Sequence, residues 1–292
     1  MKIGVTADSS SCLGYAPFEH QIPITKTSIL FSDREYIDGV DITADQFYKM
    51  LKERDEIPST AAPTTGEIIK AVALCKEKGC TDVIHFPISF GLSKYGENLE
   101  SLLPPDMLDG VHLHVYDSGT ACIMEGYLAY YASILAEKGY SLEEIYAQLD
   151  LMRKQTCAYF VVDDLKYLVK NGRLSSASGW IGTMARVKPI LKLGEAGIIE
   201  TYKKVLTKKV AVQQIKSLIK EQFSSYEKVI YIVLYNGDKS PAEKLYEELP
   251  SLYENSVRND LTIITPTVGA HIGSGILAIA AIAVDGLKEK FY

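Results

Sequence analysis

The amino-acid sequence predicts an α/β protein with two domains. An N-terminal, mostly parallel sheet flanked by helices would precede a C-terminal α/β domain with a mixed or antiparallel sheet. With 292 residues, the chain is long enough for two domains. In its first half, apolar runs alternate with helix signals, an order that implies crossover connections between parallel strands. A hairpin pattern interrupts this alternation in the second half, so we predict domains at 1–157 and 158–292.

The elements of the first half follow from local signals. Short apolar runs bounded by turn residues indicate buried strands. Thr43, Thr64 and Ser141 are each followed three residues later by Gln or Glu, which is the pattern of a capping box at a helix start. In chain order we predict a strand at 2–6, helices starting at 43 and 64, a strand at 83–88, a helix at 95–103, a strand at 111–116, a helix at 120–138 and a helix starting at 141.

Turn residues divide the second half in the same way. The glycine-containing segment 194–197 separates the runs 189–193 and 198–205, which predicts a β-hairpin. The run 271–287 opens with glycines and predicts a final helix. The remaining predicted elements are a strand at 158–162, helices at 163–170, near 178–186 and at 210–223, a strand at 229–235, a helix opening at 240 and a strand at 261–264.

Composition excludes several classes of protein. The formal net charge of -6 argues against a general nucleic-acid binder, because such domains usually carry a basic excess. The longest apolar run, 276–284, is far shorter than the roughly 20 residues of a membrane helix, so no transmembrane segment is predicted. The five cysteines are odd in number and form no C-x-x-C pair, which favours reduced thiols over a disulfide or zinc framework. We therefore expect a cytoplasmic protein without a metal site.

Three predicted strand ends carry small hydroxyl or acidic residues, at 8–10, 89–91 and 117–119. The carboxyl ends of parallel strands share one edge of a sheet, where ligands bind. Free backbone amides at a following helix start can hold an anion. Each turn alone is explained as well by helix capping. Together they predict a ligand site at this edge. With a second domain that bears Arg173 and His271, we predict an elongated apolar tunnel between the two domains that opens there.

Sequence motifs give no support for catalysis. No G-x-G-x-x-G follows the first strand, and neither a P-loop nor a G-x-S-x-G elbow occurs in the chain. His271 precedes two glycines, and a structural role for it is as compatible with the pattern as a functional one. Arg173 follows a predicted helix stop, where a cation also suits the helix dipole. No catalytic residue is predicted.

Six stretches of the chain, taken together, resemble the DegV family of bacterial proteins. The most specific parts are the segment that runs from Asp-Asp-Leu to Gly-Arg-Leu-Ser and the later His-x-Gly-x-Gly. The resemblance covers essentially the whole chain. The six stretches are TADSSSCL (6–13), STAAPTTGE (59–67), PISFGLS (87–93), VYDSGTA (115–121), VVDDLKYLVKNGRLS (161–175) and HIGSGILA (271–278).

The resemblance implies a carrier of a long-chain fatty acid, of C16–C18 length, with no other cofactor. It implies that the first domain holds the head group and that the second closes over the acyl chain. It also implies that the protein is not itself an enzyme but presents the carboxylate to a separate fatty-acid kinase in phospholipid metabolism. By motif, the ligand-binding residues would be Thr60, Ser89, Phe90, Gly91, Arg173 and His271.

The chain departs from the DegV pattern at two places. Ala61-Ala62 stands where the family usually has Ser-Gln, and Phe90 stands where it usually has a second serine. That serine is a usual carboxylate contact. Only the backbone amides of Phe90 and Gly91 would replace it, unless Ser89 or Ser93 turns inward.

A second function stays open at this point. The DegV fold resembles that of dihydroxyacetone kinase, in which a histidine binds the ketone substrate covalently. His271 would have that role in a kinase-type enzyme subunit. A small ketone does not require a long apolar cavity, and this favours the carrier.

Overall fold

The computed structural model describes residues 1–54, 56–175 and 187–292. The helix predicted near 178–186 lies outside these residues. The strands are β1 (Ile3–Asp8), β2 (Ile24–Thr25), β3 (Ser28–Leu30), β4 (Glu35–Ile37), β5 (Ser59–Ala61), β6 (Asp82–Phe86), β7 (His112–Val115), β8 (Thr156–Val161), β9 (Lys188–Leu193), β10 (Ile199–Val205), β11 (Val229–Tyr235), β12 (Ser256–Ile263) and β13 (Leu277–Ala283).

The helices of the described residues lie between these strands. They are α1 (Ala44–Glu53), α2 (Thr65–Glu77), α3 (Leu99–Leu102), α4 (Ile123–Glu137), α5 (Leu142–Lys154), α6 (Lys166–Lys170), α7 (Lys208–Phe223), α8 (Ser240–Leu252) and α9 (Pro266–Ile272). The predicted helix at 95–103 is in fact a 3₁₀ turn, Gly96–Asn98, followed by the single helical turn of α3.

The sheets confirm the predicted fold class. β2, β1, β6 and β7 form a parallel sheet in that order. A mixed six-stranded sheet has the order β10-β9-β8-β13-β11-β12, in which only β11 and β12 pair in parallel among the strands described. The predicted hairpin is the antiparallel pair β9 and β10. The division of the chain at residue 157 stays a prediction.

A third, small sheet was not predicted. β4, β3 and β5 pair antiparallel, and Thr60 at the centre of β5 lies opposite Ile29 of β3. Each of these strands has only three residues, too few to show a hydrophobic period. This sheet positions Thr60, as described below.

The helix starts predicted from capping residues three positions apart are confirmed. Thr43 and Gln46 form a reciprocal capping box at α1, and Ser141 and Glu144 do the same at α5. Thr64 caps α2 through its side chain, which accepts the backbone N–H of Glu67 at 3.2 Å. These bonds satisfy amides that have no partner within the helix.

The prediction of a final helix over 271–287 is wrong. Helix α9 ends at Ile272, and the chain then continues as strand β13. Gly273 and Gly275 have φ angles of 77° and 83°, a left-handed backbone that stops the helix. β13 lies between β8 and β11, and all seven of its residues are buried. A strand buried on both faces is uniformly apolar, so its sequence lacks the period that separates strand from helix.

Candidate functional site

A cavity of about 430 Å³ is bounded by the carboxyl ends of the parallel strands and by the six-stranded sheet. Most of its wall is apolar. Ala158 and Phe160 of β8 contribute to it, as do Leu234 of β11 and Ala278 of β13. Polar residues on the wall are Asp8, Ser10, Thr27, Thr60, Ser93, Lys94, Tyr95, Arg173, Thr267 and His271.

Thr60 and His271 form a hydrogen-bonded pair on this wall. Thr60 is the central residue of β5, and His271 lies in the last turn of α9. The Thr60 Oγ1 atom is 2.8 Å from Nε2 of His271. The small sheet and α9 thus bring together two residues that are 211 positions apart in the chain.

His271 is neutral at physiological pH. Burial lowers its pKa to about 4, and the positive charge of Arg173 acts in the same direction. Its Nδ1 atom is buried and has no hydrogen-bond partner among the described residues. Buried N–H groups without an acceptor are rarer than buried acceptors without a donor. We therefore assign the proton to Nε2, which donates to Thr60 and leaves the threonine O–H free to donate into the cavity.

Arg173 completes this end of the cavity. Its Nε donates to the carbonyl oxygen of Leu92 at 3.3 Å, and its Nη1 donates to the carbonyl oxygen of Asn171. The side chain is therefore held beside the backbone of Leu92 and Asn171. Thr60, Arg173 and His271, all predicted from the sequence, line one cavity.

The described cavity lining does not include Ser89, Phe90 or Gly91, although Ile88 and Leu92 on either side of them line it. The hydroxyl of Ser89 donates to the carbonyl of Gly197 at 2.9 Å and accepts the amide of Gly91 at 3.1 Å. The amide of Phe90 donates to Asp117 Oδ1 at 3.1 Å. Both amides that were expected to replace the missing serine already have protein acceptors. In this conformation the turn contacts the loop between β9 and β10, and its role in ligand binding stays a prediction.

The predicted convergence of the three strand-end turns is confirmed. The amide of Ile88 donates to Asp8 Oδ2 at 3.3 Å, and the hydroxyl of Ser118 donates to the carbonyl of Pro87 at 3.2 Å. Each turn is thus hydrogen-bonded to its neighbour across the edge of the sheet.

Comparison with known proteins assigns the chain to a family. A model of the DegV family, described as a family of uncharacterised proteins, matches residues 2–284. The chain belongs to the DegV family. A DegV domain-containing protein of Staphylococcus aureus is 34% identical over 286 residues, which are 96% of this chain and 96% of the relative.

Solved DegV structures share the fold. DegV of Bacillus subtilis, described as a fatty acid binding protein, has a TM-score of 0.84 at 31% identity and covers 97% of this chain and 99% of its own. A fatty acid binding DegV family protein from Streptococcus agalactiae has the same TM-score at 25% identity, with the same coverage.

Phe90, which stands where the DegV family usually has a serine, is half-buried and is not part of the described cavity lining. Its ring and Pro87 flank Gly96, where a Cβ atom would clash with both. The close approach explains why a glycine begins the 3₁₀ turn Gly96–Asn98. The ring of Phe90 thus packs against the backbone of the 3₁₀ turn at Gly96.

A pair of buried acids, Asp8 and Glu125, is linked through the hydroxyl of Ser10 and was not predicted from the sequence. The hydroxyl of Ser10 contacts Asp8 Oδ1 and lies 2.8 Å from Glu125 Oε2. Burial raises the pKa of Asp8, and it raises the pKa of Glu125 well above the ordinary value, with the charge of Asp8 adding to the effect. The signal was present in the sequence, since Glu125 is a single acid inside the apolar run that opens α4.

The described residues include neither a membrane-spanning helix nor a cluster of metal ligands. No helix there is both long enough and apolar enough to cross a membrane. No group of three or more His, Cys, Asp or Glu side chains in the same residues is placed to hold a metal ion.

Proposed function

We propose that the protein is a non-catalytic carrier of long-chain fatty acids. The observation that carries this proposal is the apolar cavity with the Thr60–His271 pair and Arg173 at one end. The acyl chain occupies the apolar part, and the carboxylate accepts the free hydroxyl proton of Thr60. The Bacillus subtilis and Streptococcus agalactiae relatives, described as fatty acid binding proteins, support the same assignment.

The acyl chain and the carboxylate of the ligand make different contributions to binding. A C16 acid has 14 methylenes, and burying them at ~0.8 kcal/mol each gives an upper bound of about 11 kcal/mol. Burial of the acyl chain therefore supplies most of the binding free energy. Burial of the carboxylate costs several kcal/mol unless donors compensate it. Thr60 and a nearby cation provide this compensation and fix the orientation of the acid.

We further propose that the carrier presents the carboxylate to a separate fatty-acid kinase in the cytoplasm, in phospholipid metabolism. In this proposal residues 1–157 form the head-group domain and residues 158–292 close over the acyl chain. The polar residues Thr60, His271 and Arg173 at one end of the wall support a head group held where a partner can reach it. The chain has no P-loop, so ATP would be bound by the partner.

The ketone-binding alternative is less well supported by the geometry. Covalent addition to a ketone needs an accessible imidazole lone pair. Nε2 of His271 is hydrogen-bonded to Thr60, and Nδ1 is buried. A carrier uses His271 differently, to hold the Thr60 hydroxyl in place.

Native mass spectrometry of protein purified from bacteria tests the carrier. We expect a retained, non-covalent mass equal to that of a C16–C18 acid, removed by denaturation. A small covalent adduct on His271 would support the ketone enzyme. Protein that is empty and fails to take up added palmitate would contradict the carrier.

Thr60→Val should weaken palmitate binding by about 1–2 kcal/mol, which is roughly a 5- to 30-fold rise in Kd. Valine keeps the shape and the strand preference of threonine but removes the donor. Titration calorimetry measures the affinity. Urea unfolding measures a separate loss of stability, of about 1–3 kcal/mol at most, because valine also removes the acceptor of the His271 Nε2–H. Ser59→Ala, at the exposed neighbour on the same strand, is the matched control. Equal Kd values for Thr60→Val and the parent protein would remove Thr60 from the site.

A further inference from the structure

Lys94 lies on the cavity wall close to the residues assigned to the head group. Ser93, Lys94 and Tyr95 all line the cavity. Arg173 donates to the carbonyl of Leu92, two residues before Lys94. The positive charge of Arg173 also helps to lower the pKa of His271. Lys94 therefore lies two residues from the backbone carbonyl that Arg173 contacts, on a wall that Thr60 and His271 also line.

A carboxylate bound at this end of the cavity would have Arg173 as its fixed cation. His271 is neutral, and two of the donor atoms of Arg173, Nε and Nη1, are already used by backbone carbonyls. Asp8, an acid, lies on the same wall. Arg173 and Lys94 are the cationic side chains among the described residues of the wall. A carboxylate held here without a further cation would be poorly compensated.

Lys94 can reorient at little cost. Its ammonium pairs with Glu97, and the two side chains are 77% and 35% exposed. Exposed pairs of this kind contribute about 0–1 kcal/mol, so exchanging Glu97 for another carboxylate costs little. The flexible four-carbon stem of lysine lets the ammonium swing toward the cavity.

We propose that Lys94 is a head-group residue whose ammonium leaves Glu97 and pairs with the carboxylate of the bound acid. It thereby determines the preference for free acids over neutral lipids of the same length. This inference rests on the proposed function. It also accounts for binding of the acid without the family's second serine, whose place Phe90 occupies with its amide already bonded to Asp117.

Two substitutions of opposite expected effect test the proposal. Lys94→Gln should raise the Kd for palmitate roughly three- to tenfold, because the cation is lost. Glu97→Gln should lower it by up to about threefold, because Lys94 no longer has a competing carboxylate. Displacement of a fluorescent fatty acid by palmitate and by methyl palmitate measures both effects. Neither substitution should change displacement by the ester, and the effect on palmitate should shrink with added salt.

Lys70→Gln is the matched control. Lys70 pairs with Glu67 three residues away, and those side chains are 78% and 35% exposed, but neither lies on the described cavity wall. Its substitution should leave palmitate binding unchanged. Unchanged palmitate binding by Lys94→Gln, or an equal loss for palmitate and its ester, would overturn the role of Lys94 while leaving the carrier intact. Failure of the parent protein to bind palmitate would overturn the carrier and this inference with it.

Discussion

Replacing Ala278 by leucine should abolish tight binding of long-chain acids and leave the fold intact. Ala278 lies on β13, is 5% exposed and lines the cavity. The larger side chain would project into space that we assign to the acyl chain. Excluding three or four methylenes at ~0.8 kcal/mol each weakens binding by about 3 kcal/mol, or about 100-fold in Kd. Calorimetry with palmitate measures the loss.

A second alanine on the same strand provides the control. Ala281 is fully buried and faces the opposite side of the sheet, where it lies in the core with Tyr231 and Ile219. A leucine there would overpack the core at a cost of about 1–3 kcal/mol. Urea unfolding should therefore show a destabilised Ala281→Leu and a normal Ala278→Leu. If both variants lose stability equally, or if Ala278→Leu still binds palmitate tightly, the acyl chain lies elsewhere.

The sequence predicted those parts of the fold that depend on neighbours in the chain. The capping boxes at Thr43 and Ser141 involve residues three positions apart, and both were predicted. The structure of β13 depends instead on pairing with β8 and β11, which are distant in sequence. Its alanines favour a helix in isolation, and burial in the sheet overrides that preference.

The same distinction applies to the site. The family resemblance pointed to Thr60, Arg173 and His271, which do line one cavity, and their role in binding the acid stays a prediction. The resemblance could not show that the amides of Phe90 and Gly91 are occupied, because their acceptors depend on the local conformation. Lys94 carried no motif, and only its place on the wall makes it a candidate.

Asp8→Asn should destabilise the protein strongly and Glu125→Gln hardly at all, although the two acids share the hydroxyl of Ser10. That hydroxyl has one hydrogen and cannot donate to two carboxylates, so one acid must hold a proton. Asp8 also accepts the amides of Ser10 at 2.7 Å and Ile88 at 3.3 Å, which favour its ionised form. Glu125 Oε1 is buried without a partner among the described residues. Glu125 is therefore the protonated acid, and it donates to Ser10.

An asparagine side chain at position 8 would offer the backbone amides of Ser10 and Ile88 either its own N–H groups, which cannot accept a hydrogen bond, or a neutral oxygen, which is a weaker acceptor than a carboxylate. We expect Asp8→Asn to cost about 2–4 kcal/mol of unfolding free energy, since charge-assisted hydrogen bonds are lost and buried donors are left unpaired. Glutamine at position 125 keeps both a donor and an acceptor. We expect Glu125→Gln to change the unfolding free energy by less than about 1 kcal/mol near pH 5. Urea unfolding measures both.

The pH dependence of the two proteins gives the decisive comparison. The pKa of Glu125 is raised above its ordinary value of 4.5, so the folded parent keeps a proton that the unfolded chain releases. The stability that this proton supplies is complete below about pH 4.5 and declines as pH rises, by up to about 1.4 kcal/mol per pH unit. Glu125→Gln cannot show this decline, so its stability relative to the parent should increase as the pH rises above 5. Asp38, whose pKa is raised to about 6, and Asp8, whose pKa is raised by burial, add declines of the same sign to both proteins, and these contributions largely cancel in the difference. A difference that is flat or falls over this range would mean that Glu125 is ionised in the folded protein.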